Sequence, residues 1–467
     1  LVFSSLLFLF QFLPVALLVY YLSPNRLRNA VLVVASLVFY AWGEPLYVFL
    51  MIFSTLFDYA NGLLIDKYRH RKPVARTVLI FSLLGNAAVL GFFKYAGFLI
   101  DNINRLFHVH IQAAELPLPI GISFYTFQTM SYIVDVYRGS VPVQKNIVAF
   151  GTYVTMFPQL VAGPIVKYGD IAAQLASRRM TLEKFGEGAE WFIRGLAKKA
   201  LLANPIGSLW MSVKSTPAEE LTIGYAWLGI IAFTFQIYFD FSGYSDMARG
   251  LGKMFGFELP VNFNYPYISR SVTEFWRRWH ITLGSWFREY VYIPLGGNRR
   301  GLRIQLRNLL AVWLLTGLWH GASWNFIVWG LYFGFFVTVE KLALLKWLQR
   351  VPALVSHIYT MLTVIVGWVL FEMDLGTAGP FIGVMLGFGA RGWADDRTLY
   401  ALSTNLVPLA VLALCATPLP RKALMHLAQK GKRGGAIAVS AAYGILLALS
   451  TAYLVTATYN PFLYFRF

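Results

Sequence analysis

The sequence predicts an all-α integral membrane protein, a polytopic bundle of roughly ten to twelve membrane-spanning or re-entrant helices around a central cavity. Three observations point there. Of the 467 residues, 57% are hydrophobic and only 13% charged, with a mean hydropathy of +0.57, an apolarity that few soluble domains reach. Apolar runs near twenty residues recur from one end of the chain to the other, about the length a helix needs to cross hydrocarbon. The basic residues, which give a net charge of +18, cluster between those runs, in the positive-inside pattern. The excess charge therefore reports topology and anionic headgroups. No basic stripe with interleaved aromatics lies in a soluble module, so nucleic acid is not an expected partner. A single transmembrane domain over residues 1–467 is expected, with its core near 118–345.

Taken in order, Leu6–Leu22 reads as a first span followed by Arg26 and Arg28. It lacks a basic n-region and a small-residue cleavage site, so it is expected to stay in place. Ala30–Trp42 and Pro45–Ile65 form a pair joined at Gly43-Glu44-Pro45, and Lys67–Lys72 is a cytoplasmic loop holding His70. Val78–Ile100 crosses outward, and Asp101–Leu116 is a polar connection with His108 and His110. A His-x-His pair without further ligands is weak evidence for metal, and none is expected.

Pro117–Val136 brings Ser123, Tyr125, Thr126, Gln128 and Ser131 to membrane depth, where such groups usually bond helix to helix. Asn146–Ile165 ends in a break at Ala162-Gly163-Pro164. Phe185–Leu202 reads as an interfacial amphipathic helix with Arg194, Lys198 and Lys199 on its polar side. Gly224–Met247 carries Asp240 and Asp246. Buried carboxylates need partners, and Arg249, Arg277 or Arg278 are the obvious candidates. A structural salt bridge or a proton relay both remain open.

The stretch Asn262–Asn325 concentrates Arg, Trp, Gly and two of the seven histidines, His280 and His320. Trp276, Trp279, His280, Leu283, Trp286, Phe287 and Tyr290 recur at three- and four-residue spacing, the face of one helix. Leu295–Asn298 is a turn without P-loop spacing, so phosphate cradling is not supported. Asn308–Trp319 rises only roughly 18 Å as a helix, too little to cross a core of roughly 30 Å. Gly321-Ala322-Ser323 interrupts it before a second apolar run, Trp324–Val339. Two helical pieces meeting at a small-residue break place His320 at the joint, which is tolerated only inside protein or beside a wet cavity. Desolvation keeps such an imidazole neutral and able to accept a proton from a hydroxyl. His280 can orient the acceptor or stabilise an oxyanion. A purely structural role for either ring remains the alternative, as does a covalent acyl-histidine.

Beyond that joint, Lys341, Lys346 and Arg350 mark cytoplasm, Val355–Phe371 leads out and Leu399–Ala416 returns. Cys415, the sole cysteine, reads as a small buried hydrophobe. Arg421, Lys422, Lys430, Lys432 and Arg433 form a second cytoplasmic loop with His426, and Ala436–Ala457 leaves an aromatic tail outside. No inverted repeat relates the halves, which weakens a secondary-transporter reading.

The motifs EFWRRWH (Glu274–His280), WFREYVYIPLGGNR (Trp286–Arg299) and LWHGASWN (Leu318–Asn325) resemble those of the membrane-bound O-acyltransferases. The similarity is to the bacterial branch that serves alginate O-acetylation, related to the D-alanyl transfer proteins of teichoic acid synthesis. It extends through Leu118–Gly139, Phe157–Ile165 and Phe239–Gly252 and thins out over Met373–Arg433. By resemblance, His320 is the catalytic histidine and His280 the second active-site residue, with Trp276, Arg277, Arg278, Trp279, Trp319 and Asn325 around the donor. The resemblance implies no resident cofactor, acetyl-CoA as donor substrate, and an O-acetylated extracellular polysaccharide as product. It implies a periplasmic or surface O-acetyltransferase and a polysaccharide synthesis and export complex as partners, in a bacterial inner membrane. The rival class is a transporter or lipid-handling channel built on Asp240, Asp246 and the arginines.

Overall fold

Helix is the sole regular structure: among the described residues of the computed structural model (2–112, 117–430, 432–457 and 463) there is no β-strand. A chain this apolar has little choice, because each backbone group in hydrocarbon must be satisfied within its own segment or a closed barrel. The α-helices in the first half are α1 (Leu13–Leu22), α2 (Arg28–Ala41), α3 (Tyr47–Lys67), α4 (Lys72–Phe107), α5 (Ile122–Arg138), α6 (Ile147–Thr155), α7 (Phe157–Leu160), α8 (Tyr168–Ala176), α9 (Leu182–Ala197), α10 (Asn204–Lys214) and α11 (Ile223–Met254). They are followed by α12 (Val272–Arg278), α13 (Ile281–Phe287), α14 (Leu302–His320), α15 (Trp324–Val339), α16 (Leu345–Leu348), α17 (Ala353–Glu372), α18 (Leu375–Met385), α19 (Asp396–Cys415), α20 (Leu419–Lys430) and α21 (Lys432–Thr456).

Among the described residues, seven stretches can cross a membrane by length and composition: α3, α4, α11, Trp324–Leu348, α17, α19 and Gly434–Thr456. Phe8–Leu22, α2 and α18 are apolar but shorter. The expected ten to twelve are therefore not confirmed. Helix α4 has 36 residues and continues through Asp101–Phe107, so the first part of the connection expected there is helical. Its end is marked by His108 in the left-handed region, φ 51°. In Asn146–Ile165 the chain leaves the helix at the expected Ala162-Gly163-Pro164, and there is an earlier interruption as well, because α6 stops at Thr155 and α7 covers only Phe157–Leu160.

The chain packs as two compact units, Leu1–Phe192 with Ser245–Val261, and Ile193–Tyr244 with Asn262–Phe467. In the first, α3 and α4 are joined by a buried polar knot: the Asp58 carboxylate accepts from Ser82 Oγ at 2.7 Å and from Asn86 Nδ2 at 2.9 Å. Tyr153 Oη donates to the Gln128 carbonyl at 3.0 Å, tying α6 to α5. Asp246 belongs to this unit and is buried.

In the second unit, α15 packs on α17, where Tyr332 Oη donates to the Thr363 carbonyl at 2.9 Å. The expected amphipathic helix Phe185–Leu202 is redrawn: α9 gives way to a π-helical turn, Lys198–Ala203. Lys199 lies buried there rather than on a polar surface, its Nζ 2.5 Å from Asp240 Oδ1. Asp240 Oδ2 also accepts the Leu463 N–H at 2.9 Å. Asp240 is thus neutralised by a lysine, not by Arg249, Arg277 or Arg278. The basic stretch with Arg421 and Lys422 is helix α20 rather than a loop. The side chains of Lys430, Lys432 and Arg433, and the tail at 458–462 and 464–467, lie outside the described residues.

Candidate active site

The site is built on a helical hairpin. Helix α14 begins at Leu302, six residues before the apolar run, because Arg303, Gln305 and Arg307 continue the helix instead of ending it. It ends on His320; Gly321 is extended, and α15 starts at Trp324. The two helices run antiparallel: a Cβ at Gly317 would collide with the Phe326 carbonyl, and one at Gly330 with that of Trp313. Small residues permit such close approach in membranes. The expected broken crossing is therefore a hairpin with His320 at its turn. Both of its basic flanks, Arg303 and Arg307 on one side and Lys341 and Lys346 on the other, fall at the same end.

His320 is 5% exposed. Its ring sits edge-on to Trp329 at 4.9 Å, Trp319 at 5.0 Å and Phe371 at 5.3 Å between centroids. Asn325 Nδ2 donates to the Phe371 carbonyl at 3.1 Å, which ties the first turn of α15 to the end of α17 and holds Phe371 against the imidazole. Asn325 thus serves packing here.

The second histidine sits at a break that periodicity does not reveal. Glu274–Tyr290 is not one helix: α12 ends at Arg278, Trp279 is extended, and His280 adopts φ 45°, ψ 52° before α13. Two tertiary hydrogen bonds take over where the helix fails. Asn264 N–H donates to the Arg278 carbonyl at 2.9 Å, and Ile281 N–H to the Asn262 carbonyl at 3.0 Å. At the other end of α12, the buried Glu340 carboxylate accepts the Val272 N–H at 2.6 Å and the Thr273 N–H at 2.8 Å. A carboxylate on the positive end of a helix is favourable. Nothing in the sequence pattern singles out Glu340, and its role here comes from tertiary placement alone.

A left-handed conformation at a bulky residue is strained and persists only when its surroundings hold it. Asn262 does so through its side chain as well. Its Oδ1 accepts the Thr282 N–H at 3.2 Å and the Thr282 hydroxyl at 2.9 Å, and lies 3.2 Å from His280 Nδ1. An oxygen that already accepts a backbone N–H must accept from the ring too, so Nδ1 carries the proton and Nε2 the lone pair. The ring is 2% exposed, 4.8 Å from Phe241 and 5.8 Å from Trp319 between centroids. Trp319 therefore touches both imidazoles, and folding brings together two histidines 40 residues apart in sequence.

The remaining candidates divide. Trp276 packs against Trp313, Trp329 and Phe333, and the Trp279 ring lies tilted against that of Trp368, 4.8 Å between centroids. Arg277 is exposed. Arg278 pairs with Glu274 at 2.9 Å and donates to the Asn264 carbonyl at 3.1 Å. A cavity of about 510 Å³ in this unit is walled by Arg270, Tyr267 and His357, and neither His280 nor His320 lines it. His357 was the one histidine that the sequence left without comment, lying on an apolar helix with no motif beside it. Its Nδ1 lies 3.0 Å from the Ser269 carbonyl, which only accepts.

The sequence model of MBOAT, the membrane-bound O-acyltransferase family, matches residues 140–373, a span that includes both histidines and the hairpin. The chain is also 40% identical to the "Probable alginate O-acetylase AlgI" of Azotobacter vinelandii over 100% of each chain. The chain belongs to the membrane-bound O-acyltransferase family. A second such relative, from Pseudomonas aeruginosa, is 44% identical over 88% of this chain and 80% of its own. The "Peptidoglycan O-acetyltransferase" of Helicobacter pylori is 36% identical over 80% of this chain and 77% of its own. This acyltransferase is therefore a multi-pass membrane enzyme that transfers acyl groups to oxygen.

Proposed function

We propose that this membrane-bound O-acyltransferase takes an acetyl group from a cytoplasmic thioester, acetyl-CoA, for O-acetylation of an extracellular polysaccharide such as alginate. A periplasmic or surface O-acetyltransferase receives the group, and the enzyme sits in the bacterial inner membrane beside the polymer synthesis and export machinery. The observation that carries the chemistry is the pairing of two enclosed imidazoles on one indole, Trp319, at a hairpin turn. The names of the relatives support the acetyl group and the glycan.

In this reading His320 takes the proton of the acceptor hydroxyl while that oxygen attacks the thioester carbonyl. The tetrahedral adduct collapses by breaking the C–S bond, and the departing CoA thiolate recovers the proton from the His320 imidazolium. His280 orients the acceptor: with Nδ1–H held by Asn262, its Nε2 can accept a hydrogen bond from the hydroxyl but cannot donate one to an oxyanion. That favours the first of the two roles open to it in sequence. Because His320 is enclosed by Trp329, Trp319 and Phe371, substrates reach it only when this aromatic wall parts. The transporter alternative loses its main carboxylate, since Asp240 is occupied by Lys199 and Leu463.

Proteoliposomes holding the purified enzyme and radiolabelled acetyl-CoA test the reading. Free CoA should be released when a hydroxyl acceptor is supplied on the opposite face. Substrate-coupled ion flux without thioester cleavage would replace the enzyme by a transporter.

A further inference from the structure

We propose that the first unit binds one anionic phospholipid, its acyl chain in the groove between α1 and α2 and its phosphate on Arg28 and Arg178. The groove has a volume of about 560 Å³, within the roughly 300–1,000 Å³ typical of small-molecule sites. Its walls are two helix faces at three- and four-residue spacing, with Leu7, Val15 and Val19 on one side and Ala30, Val34 and Val38 on the other. From Leu7 to Val19 the lined face rises roughly 18 Å, close to one leaflet of a core roughly 30 Å thick. A single lipid chain matches that length and chemistry.

The end of the groove supplies the headgroup site. Leu27 and Val19 line that end, and Arg28 and Tyr20 follow them directly in sequence. The guanidinium carbons of Arg28 and Arg178 each lie 5.6 Å from the Tyr20 ring centroid. Arg178 gives its other donors to neutral acceptors, Tyr20 Oη at 2.8 Å, Asn29 Oδ1 at 2.7 Å and the Phe255 carbonyl at 3.1 Å. Arg28 Nε and Arg178 Nη2 are shut away from water and find no acceptor among the described residues. Among the described residues neither arginine forms an ion pair with a carboxylate, and Glu187 and Glu258 pair with Lys253 and Lys184. Buried donors of positive charge lacking an acceptor are costly and call for one. A phosphate oxygen answers both, and Arg26 and Arg179 extend the positive field outward. The Arg26–Arg28 turn is also where the positive-inside pattern places the cytoplasmic leaflet, which carries anionic lipid.

The test is lipid retention by the full-length protein, purified in detergent and followed by native mass spectrometry. The probes are dioleoyl phosphatidylglycerol, dioleoyl phosphatidylcholine and glycerol phosphate. One phosphatidylglycerol per chain should be held in preference to phosphatidylcholine, and glycerol phosphate should not displace it. Arg28→Gln, which breaks no hydrogen bond described above, should weaken phosphatidylglycerol about fivefold while sparing phosphatidylcholine. Ala30→Phe, which fills the groove, should reduce both lipids. Equal retention of the two lipids, indifference to both variants, or displacement by glycerol phosphate would each overturn the proposal.

Discussion

Asn262 shows how a single side chain can set the state of a buried imidazole. Replacing it with leucine removes the acceptor shared by His280 Nδ1–H and Thr282. Asn262→Leu should cost about 1–3 kcal/mol of stability, read from thermal unfolding. It should also alter the pH profile of acyl transfer, because the tautomer at His280 is no longer fixed. Asp395 is a second residue with a local job: its carboxylate caps α19 by accepting the Thr398 N–H at 2.8 Å and the Thr398 hydroxyl at 2.6 Å. These bonds, the side-chain one foremost, hold its carboxyl below the ordinary value. A lowered folded pKa gives stability that is present above the unfolded value and is lost as pH falls through the lowered one. Asp395→Ala should cost about 1 kcal/mol at neutral pH, and unfolding curves of the two proteins should converge in acid below the usual aspartate range. At this scale the sequence named His280 and His320 by residue type and setting. It did not reveal the left-handed backbone at His280, because no glycine or asparagine stands there to announce it.

Among the elements, the α14–α15 hairpin carries the most weight. Gly321-Ala322-Ser323 announced an interruption, and the interruption is there. Its direction was not legible, since a break in an apolar run says nothing about whether the next helix continues or returns. What decides is backbone contact at Gly317 and Gly330, and that depends on which faces meet. A methyl at Gly317 would press on the Phe326 carbonyl, which cannot move aside as a side chain can. Gly317→Ala should therefore separate the helices and destabilise the protein by about 1–3 kcal/mol. Acyl transfer should fall with it, because His320 is one turn away. A protein with unchanged melting temperature and activity would show that the close approach is unimportant. The lost periodicity of Glu274–Tyr290 has a similar cause: the aromatic spacing suits a helix, and the tertiary bonds from Asn262 and Asn264 break it.

For the whole molecule, class and membrane character were plain from composition, whereas the pairing of charges was not. Asp240 called for a cation, and arginines nearer in sequence looked sufficient; folding instead buried Lys199, whose side chain is 3% exposed, beside it. Lys199→Met should cost about 3–5 kcal/mol by leaving a carboxylate buried alone. Adding Asp240→Asn should restore much of the stability, and activity with it if the pair only holds the fold. A stable but inactive double variant would instead make Asp240 a proton carrier. Topology can be checked in a Cys415→Ala background, with single cysteines placed at Arg69 and Arg350. Both should react with a membrane-impermeant reagent only from the cytoplasmic side.

In the proposed transfer His320 acts as the base, and polymer O-acetylation by cells carrying His320→Ala tests that role most directly. The variant must be shown to insert and to accumulate as wild type does. The predicted result is a loss of at least about 100-fold in acetyl groups on the polymer. Acetylation at the wild-type level would contradict the assignment and leave His320 as a packing residue of the hairpin turn.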